Sequence, residues 1–403
     1  MKQFDSIICI SQTPWQGNFQ KAIVQLMTEL STRHRVLYVD YPYTLKDGVM
    51  GVLGRQPNVP LREMVNLRDP LTRKTLDNGG EAYIWVPPAI LPINWMSADA
   101  HDWFIQWNIN RLVSGIRQVM RRLNMQRPLV VNAFHPVLGL PMIGQLNECA
   151  TLYYCFDEIT AEAWMNRHGS RYEQQYLRKV DAVVTTSETL RRAKSALQPN
   201  AFCVKNGVNF ALFNQAQQLI PLQPAGRPVV GYLGMSDSRI NIDLVEFCVR
   251  TMPETDFQFI GEVVEAQVRE RLSGYLNVQF TPPHRPAELP PLLAKLNAAM
   301  IPYVCNEHTY TIYPLKINEY LAAGLPVVST PFSLLDDFEG VVELADTPER
   351  FAQALQRALA DTSTQRVQQR VDMARANSWE ERAREFEAVI RQLPAAWAQE
   401  QPV

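Results

Sequence analysis

Residues 312–330 read Ile-Tyr-Pro-Leu-Lys-Ile-Asn-Glu-Tyr-Leu-Ala-Ala-Gly-Leu-Pro-Val-Val-Ser-Thr, and much of the structural information in the chain is concentrated there. Pro314 suits the first turn of a helix, and Gly324 suits a left-handed C-terminal cap. Pro326 then opens an apolar, β-branched run. We therefore predict a loop, a helix from Leu315 to Ala323 and a strand in close succession.

The start of this helix has the features of an anion site. Free backbone N–H groups at a helix N-terminus attract phosphate, whereas a lysine in the first turn opposes the helix dipole. An anionic ligand would explain Lys316, and the carboxylate of Glu319, three residues further on the same face, could accept both hydroxyls of a ribose. The alternative is an ordinary surface Lys–Glu pair, worth about 0.3–0.5 kcal/mol.

Short apolar runs alternate with amphipathic stretches along the whole chain, which is typical of parallel sheets covered by helices on both faces. The predicted strands of the first half are Ser6–Ile10, Val36–Asp40, Ala82–Val86, Leu129–Asn132, Thr151–Phe156, Asp181–Thr186 and Phe202–Lys205. Those of the second half are Pro228–Leu233, Asp256–Ile260, Asn277–Phe280, Ala298–Pro302, Pro326–Thr330 and Val341–Leu344.

Two doubly wound α/β domains follow from this restart of the series. A segment rich in Gln and Pro separates them and has neither structural period. We predict an N-terminal domain at 1–213, a linker at 214–227, a second domain at 228–375 and a closing helix with a tail at 376–403. Open α/β sheets bind ligands beyond the carboxyl ends of their strands, so the loops there should carry the site.

Composition excludes several classes of function. The 403 residues have a formal net charge of −2, which gives no field for holding a nucleic acid. The six cysteines form no Cys-x-x-Cys pair, so free thiols are a better interpretation than a zinc site or a disulfide framework. No signal peptide and no transmembrane run is evident, and we expect a cytoplasmic protein.

The second half resembles a known family. Pro228-Val-Val-Gly-Tyr-Leu-Gly234, Phe257-Gln-Phe-Ile-Gly-Glu262 and the pattern Pro-x-Lys-x-x-Glu-Tyr-x-Ala-x-Gly-x-Pro-Val-Val from Pro314 are similar to the retaining GT-B glycosyltransferases of family 4 (group 1). The narrower resemblance is to a branch found in bacterial surface-polysaccharide and teichuronic-acid assembly. It covers about residues 228–330 and implies an α/β GT-B fold, with two Rossmann-like domains facing across a cleft.

The resemblance also implies a set of donor-binding residues. Thr311 stands where the family has a carboxylate that contacts the transferred sugar. Met235 stands near the position at which the family has a phosphate-binding arginine. The loop that contains His284 holds the nucleotide base in relatives. The implied donor residues are Arg239, His284, Thr311, Tyr313, Pro314, Leu315, Lys316 and Glu319.

The first half of the chain contains candidate residues for binding the acceptor. Gly17 and Asn18 lie in the loop after the first strand, where relatives approach the acceptor and the donor phosphate; a plain strand-to-helix loop is the alternative. Three residues are candidates for catalysis, namely Lys316, His135 and Asp157. His135 could hydrogen-bond a sugar hydroxyl or take up a proton, and Asp157 could contact the acceptor. A structural histidine and a helix-capping aspartate are the alternatives.

No metal and no cofactor is expected. The chain has no Asp-x-Asp motif, and basic side chains with helix dipoles replace the metal in GT-B enzymes, so the nucleotide-sugar is a substrate and Lys316 with Arg239 faces its diphosphate. An aromatic cluster and a basic helix at Arg111–Arg127 suggest a peripheral membrane contact and a lipid-linked acceptor. The alternative is core aromatics with a solvated basic face. The aromatic cluster comprises Trp85, Trp95, Trp103, Phe104 and Trp107.

These features predict a metal-independent, hexosyltransferase-like glycosyltransferase. It would move a sugar from a nucleotide-diphosphate sugar to a saccharide or lipid-linked acceptor with retention, in cell-surface polysaccharide assembly. Two alternatives remain: a catalytically degenerate scaffold or binding subunit, and a nucleotide-sugar 2-epimerase. A NAD dehydrogenase is disfavoured because no Gly-x-Gly-x-x-Gly follows a first strand in either half.

Overall fold

The computed structural model describes residues 4–17, 21–56, 58–161, 165, 167–219 and 226–393. The chain divides into two compact units. Unit 1 comprises Met1–Lys205 and Ala383–Val403, and unit 2 comprises Asn206–Arg382. Each unit has its own sheet, and each is described by itself.

Unit 1 contains an eight-stranded sheet in the order β3-β4-β2-β1-β5-β6-β7-β8. Its strands are β1 Ser6–Ser11, β2 Val36–Val39, β3 Leu71–Thr75, β4 Glu81–Trp85, β5 Pro128–Ala133, β6 Ala150–Cys155, β7 Ala182–Thr185 and β8 Ala201–Cys203. Its helices are α1 Ala22–Leu30, α2 Leu45–Val52, α3 Leu61–Met64, α4 Ala98–Arg122, α5 Pro136–Met142, α6 Gly169–Leu177 and α7 Glu188–Ser195.

Unit 2 contains a six-stranded parallel sheet in the order β11-β10-β9-β12-β13-β14. Its strands are β9 Val229–Leu233, β10 Asp256–Ile260, β11 Val278–Thr281, β12 Ala298–Ile301, β13 Val327–Ser329 and β14 Val342–Leu344. The helices that begin in it are α8 Phe210–Phe213, α9 Gln215–Leu219, α10 Ile242–Thr251, α11 Ala266–Leu272, α12 Pro290–Leu293, α13 Glu307–Tyr310, α14 Leu315–Ala322, α15 Pro348–Leu359, α16 Thr364–Ala376 and α17 Trp379–Gln392.

The predicted α/β class is confirmed, because every predicted strand has a counterpart within two residues at each end. The central strands β1 and β5 are buried along their whole length, which only helices on both faces can achieve. The sequence prediction missed β3, which pairs antiparallel with β4 at the edge of the sheet. All five residues of β3 keep some exposure, so no apolar run marks it.

Among its parallel strands, each sheet has one point at which the order of the strands reverses. In unit 2 the chain moves outward from β9 through β10 to β11, and then returns to the other side of β9 with β12. In unit 1 the reversal lies between β1 and β5. Within each sheet, the loops that follow the two strands at the reversal diverge. Doubly wound sheets bind ligands in the crevice between those two loops.

The unit boundaries differ from the predicted domain boundaries. Unit 2 begins at Asn206, before the predicted linker at 214–227, and that stretch begins with α9 instead of an irregular tether. Asn214 Nδ2 donates to the carbonyl of Ala322 over 3.0 Å, and the Gln217 amide donates to that of Ala323. These polar side chains therefore cap the end of α14. Residues 220–225 lie outside the described residues.

The C-terminal region forms two helices, α16 and α17, and α17 starts in unit 2 and ends in unit 1. Residues 394–403 lie outside the described residues. The basic helix predicted at Arg111–Arg127 is the second half of the longer α4, which begins at Ala98 and ends at Arg122. Over the described ranges, no helix combines the length and the apolar character needed to cross a bilayer.

Candidate functional site

The candidate site of unit 2 lies at the reversal between β9 and β12. Gly234 follows β9 with a φ of +129°, a backbone conformation that favours glycine. A Cβ atom at this position would lie 2.3 Å from Cε of Lys316, so the lysine side chain crosses directly over the glycine backbone. Helix α14 is held against β9, because the Leu233 N–H donates to the Tyr320 hydroxyl over 2.6 Å. The lysine thus lies beside a half-buried turn of backbone that has no side chain.

Lys316 is held by phenols and not by a carboxylate. Its Nζ atom donates to the hydroxyl of Tyr303, which follows β12, over 2.9 Å. The same atom lies 5.5 Å from the ring centroid of Tyr232 and 5.6 Å from that of Tyr303. The alternative of a surface ion pair between Lys316 and Glu319 is not what the structure contains. A neutral phenol leaves the ammonium charge available to a ligand.

Tyr303 connects both cations of the site. Burial alone would raise the pKa of Tyr303, but the charges of Lys316 and Arg239 lower it below the ordinary value. Its hydroxyl also lies 3.3 Å from that of Tyr232. The guanidinium of Arg239 stacks over the Tyr303 ring at 5.3 Å. A chain of polar groups therefore runs along the loops after β9 and β12.

Arg239 already has an anionic partner. Its Nε and Nη2 atoms donate to the two carboxylate oxygens of Asp237, over 2.8 and 2.6 Å. Burial opposes ionisation of Asp237, but the hydrogen bonds from Arg239 lower the pKa of that carboxyl. The predicted contact of Arg239 with the diphosphate stays a prediction. Among the described residues, Asp237 already pairs with Arg239, whereas no carboxylate forms an ion pair with Lys316.

Glu319 is half-buried, one turn after Lys316. Burial raises the pKa of this carboxyl to about 7, and the nearby Lys316 offsets only part of the effect. Across the described ranges, no donor forms a hydrogen bond with this carboxylate. It is therefore available to hydroxyl groups of a ligand, as the sequence analysis predicted for a ribose.

The remaining predicted donor residues surround the start of α14. Pro314 is the N-cap and not the first helical residue, and Leu315 begins the helix. The hydroxyl of Thr311 donates to the carbonyl of His308 over 2.8 Å. The side chain of Tyr313 is buried: its hydroxyl accepts from Asn318, and its ring packs on Phe338. The Tyr313 side chain therefore supports the loop from within, and its role in the donor site stays a prediction.

His284 lies three residues after β11, at the edge strand of the sheet. Its Nδ1 atom is 3.5 Å from a carboxylate oxygen of Glu288, one turn further along the chain. The structure places it in a loop after a strand, as predicted, but it forms no contact with the cluster around Lys316.

In unit 1, hydrogen bonds organise residues 12–17, the described start of the loop after β1. Gly17 has a φ of +153°, and a Cβ atom there would lie 2.8 Å from Nζ of Lys21. The N–H of Trp15 donates to Asp40 over 2.8 Å, and the Tyr38 hydroxyl donates to the carbonyl of Thr13 over 2.6 Å. Asn18, the other predicted residue of this loop, lies outside the described residues.

His135 follows β5, at the reversal point of unit 1, and is buried. Burial lowers the pKa of this imidazole to about 3, so it is neutral at physiological pH. Proton uptake by His135 is therefore unfavourable, whereas hydrogen bonding is not. It lines a pocket of about 430 Å³ together with Gln12, Tyr41, Ile93, Trp95 and Asn108. Most of the other lining residues are apolar.

Asp157 lies two residues after β6 and is half-buried. Its Oδ1 atom accepts from the N–H of Glu158 over 2.8 Å. Glu158 in turn pairs with the buried Lys194 at 3.0 Å, and Glu173 pairs with the same ammonium at 2.9 Å. This buried network fixes the end of β6, so the backbone that carries Asp157 is well supported.

Metal ligands do not cluster in either unit, in so far as its residues are described: no three His, Cys, Asp or Glu side chains come together. The absence of a metal and of a cofactor stays a prediction. The sequence analysis missed three members of the site in unit 2, namely Tyr232, Asp237 and Tyr303. Tyr303 had one usable signal, because it comes directly after the strand next to the reversal point.

Part of the chain is similar to known glycosyltransferases. Residues 227–361 match the family model described as Glycosyl transferases group 1. A Bacillus subtilis (strain 168) protein, whose name describes it as the teichuronic acid biosynthesis glycosyltransferase TuaH, is 25% identical over 221 residues. That match covers 51% of this chain and 56% of TuaH, so the chain spans little more than half of its relative.

Solved structures cover almost the whole chain. Sucrose-phosphate synthase from Thermosynechococcus elongatus superimposes with a TM-score of 0.69 over 97% of this chain and 100% of that one, at 17% identity. The E. coli trehalose-6-phosphate structure bound with UDP-2-fluoro glucose gives 0.63 over 96% and 99%, at 11% identity. At such low identity these matches show the fold alone, which is GT-B.

Proposed function

We propose, from the premise that this chain has the GT-B fold and a group 1 glycosyl transferase domain at residues 227–361, that it is a sugar transferase. The donor is a nucleoside-diphosphate sugar, and the acceptor is a saccharide or a lipid-linked saccharide. The name of TuaH supports a place in cell-surface polysaccharide assembly. The nucleotide-sugar is a substrate, and neither a metal nor a cofactor takes part.

The observation that carries this proposal is the position of Lys316. Its ammonium group lies over the bare backbone of Gly234, at the first turn of α14 and at the reversal of the strand order. A diphosphate placed there meets a full positive charge, the N-terminal backbone N–H groups of a helix and a loop without a side chain. Glu319, one turn further, then accepts the ribose hydroxyls.

Transfer proceeds with retention in this proposal. The acceptor hydroxyl approaches the anomeric carbon on the side of the leaving diphosphate. The new carbon–oxygen bond forms as the bond to the diphosphate breaks, and the acceptor proton passes to a diphosphate oxygen. Lys316 stabilises the charge that grows on the leaving group, which makes a strong protein base unnecessary.

Unit 1 receives the acceptor in this proposal. The pocket beside His135 provides the space, and the neutral imidazole hydrogen-bonds a sugar hydroxyl. Asp157 and the loop that contains Gly17 supply further polar contacts to the acceptor. We place the protein in the cytoplasm, in peripheral contact with the inner face of the membrane, because a lipid-linked acceptor is presented there.

Thermal unfolding with UDP, GDP, ADP and TDP tests the donor site. At 100 times its dissociation constant, a ligand adds about 2.7 kcal/mol to the free energy of unfolding. We expect one diphosphate to stabilise the protein. The variant Lys316→Ala should bind it about 10–100-fold more weakly, because a charge-assisted hydrogen bond is worth about 1.5–3 kcal/mol.

Two comparisons sharpen this test. Lys295→Ala removes an exposed lysine of the same unit and should bind the nucleotide like the wild type. The double variant Asp237→Ala/Arg239→Ala removes a neutralised pair and should lose less affinity than Lys316→Ala. Equal binding by Lys316→Ala and the wild type would place the nucleotide elsewhere. Nucleotide binding without slow hydrolysis of any nucleotide-sugar would point to the scaffold instead.

A further inference from the structure

Helix α2 of unit 1 exposes the side of the helix that would normally face a core. Leu45, Val49, Val52 and Leu53 are spaced i, i+4, i+7 and i+8, which is the stripe of an amphipathic helix. Such a stripe is usually buried, yet no residue of α2 is buried. The exposed fractions of these four side chains are 51%, 59%, 75% and 61%. The helix therefore presents its apolar side to the surroundings.

The same region holds the other exposed apolar side chains of the unit. In the described part of unit 1, all nine strongly exposed large apolar residues lie between 45 and 107. In unit 2 the six comparable residues are spread from 219 to 344. Scattered exposure needs no explanation, but concentration in one region indicates a binding surface. The five beyond the stripe are Val65, Leu67, Trp95, Trp103 and Trp107.

Contacts within unit 1 bring parts of this region together. Helices α2 and α3 pack on each other, and the residue before α2 forms a β-bridge with Ile90. Lys46 of α2 and the exposed Trp95 line the same pocket as His135. On α4, Trp103 and Trp107 lie one turn apart on the exposed side, while Ile105 is buried toward the pocket.

Basic residues are concentrated in the second half of α4, whereas Asp99 and Asp102 precede Trp103 and Asp69 pairs with Arg122. From Trp103 to Arg127 the chain has five arginines and no carboxylate, and the Arg111 guanidinium stacks 4.8 Å over the Trp107 ring. The segment 45–68 contains four basic and two acidic residues. Of the two acids, Asp47 caps α2 and Glu63 pairs with Arg68. Exposed apolar and tryptophan side chains among basic ones are the signature of an interfacial helix on anionic lipid.

We propose that unit 1 docks on the headgroup region of an anionic lipid bilayer through a docking face formed by the α2 stripe, Trp95, Trp103 and Trp107. The stripe and the tryptophans enter the interface, and the surrounding arginines meet the lipid phosphates. The pocket beside His135 then opens at the lipid surface, where it receives the carrier-linked acceptor. This last step rests on the proposed transfer function, whereas docking itself needs no turnover.

Sedimentation with vesicles tests the docking of the full-length protein. We expect binding to vesicles of equal parts phosphatidylglycerol and phosphatidylcholine, and weaker binding to phosphatidylcholine alone. The triple variant Val49→Gln/Val52→Gln/Leu53→Gln should bind the mixed vesicles about tenfold or more weakly, because three apolar side chains no longer leave water. These residues are exposed, so the variant should keep the wild-type thermal stability.

A matched control is available in unit 2. Val264→Gln/Leu276→Gln removes two side chains that are 55% and 104% exposed, outside the docking face, and should sediment like the wild type. Both variants should retain stabilisation by the nucleotide, which measures the donor site and not the docking face. Loss of nucleotide binding with intact sedimentation would count against the proposed function alone.

Three results would overturn the docking proposal. The first is a wild type that does not sediment with either vesicle, and the second is a triple variant that sediments as well as the wild type. The third is a concentration-dependent dimer in light scattering that the triple variant abolishes, because a second copy of the chain would then cover the face.

Discussion

Lys316 and Arg239 carry the same charge in neighbouring loops, but their partners differ. Arg239 donates to both carboxylate oxygens of Asp237, so its charge is largely neutralised before a ligand arrives. Lys316 donates to the hydroxyl of Tyr303 and lies near two aromatic rings, which orient the ammonium without neutralising it. Among the described residues, Lys316 is therefore the one of these two cations without a carboxylate partner, and we propose it as the main ligand of the diphosphate.

The raised pKa of Glu319 makes the stability of the protein depend on pH. Burial raises its pKa to about 7, so the folded protein holds a proton that the unfolded chain releases near pH 4.5. The resulting contribution to stability is complete below pH 4.5 and is lost as the pH rises through 7. Ribose hydroxyls that donate to the ionised form would reverse this preference, and nucleotide binding should then release a proton.

The Glu319→Gln variant tests this pH dependence. We expect it to unfold like the wild type at pH 4.5 and to be more stable by about 1–3 kcal/mol at pH 8, since glutamine cannot ionise. Denaturant unfolding at the two pH values measures the difference. The exposed Glu270→Gln serves as the control. A Glu319→Gln effect of the same size at both pH values would contradict the raised pKa.

Helix α14 is stabilised at its end by groups that are distant in sequence. Gly324 has a φ of +74°, and the side chain of Gln217 lies directly against it. Arg370 of α16 donates to the Gly324 carbonyl over 3.1 Å. The carbonyls at the end of α14 are thus satisfied by α16 and by the segment around α9. This end of the helix is fixed, which keeps Lys316 in position at the other end.

Gly324→Ala should destabilise the protein for two reasons. A left-handed conformation costs about 1–2 kcal/mol for a residue with a Cβ atom. That Cβ atom would also lie 1.9 Å from Nε2 of Gln217, so the cap must shift. Gly340→Ala is a matched control, because Gly340 has a φ of +76° but open space around its Cβ position. Denaturant midpoints compare the two variants. An equal loss of stability would mean that the contact with Gln217 is unimportant.

At the scale of the whole molecule, the two sheets share one topological feature. The parallel strands of each sheet reverse their order once, and several candidate residues of each unit lie in the loops beyond that reversal. In unit 2 these loops hold Gly234 and Tyr303, and in unit 1 they hold Gly17 and His135. The two units therefore build their candidate loops by the same folding pattern, and we propose unit 2 for the donor and unit 1 for the acceptor.

Hydrogen exchange should separate these two sites. With saturating nucleoside diphosphate, the largest gain in amide protection is expected at Gly234 and in the first turn of α14, because those N–H groups lie beside the proposed phosphates. Peptides from the pocket of unit 1 should change less until an acceptor is added. The largest protection at residues 13–17 would contradict the assignment of the nucleotide to unit 2.

The sequence alone determined the elements of this protein. Short-range patterns of apolar spacing and turn chemistry predict all but one of the strands. They also predict the helix after Pro314 and its cap at Gly324. A resemblance over residues 228–330 then indicated the family. Lys316 and Glu319 were found in this way because the helix that carries them is itself a local pattern.

Only the tertiary structure decided what those residues touch. Tyr303 and Lys316 are held together by a helix and a strand end that meet in space, and the amides of the predicted linker prove to be caps for α14. The edge strand β3 and the outward stripe of α2 also escaped prediction. Spacing reports that a helix has an apolar side, but the direction in which it points depends on packing partners elsewhere in the chain.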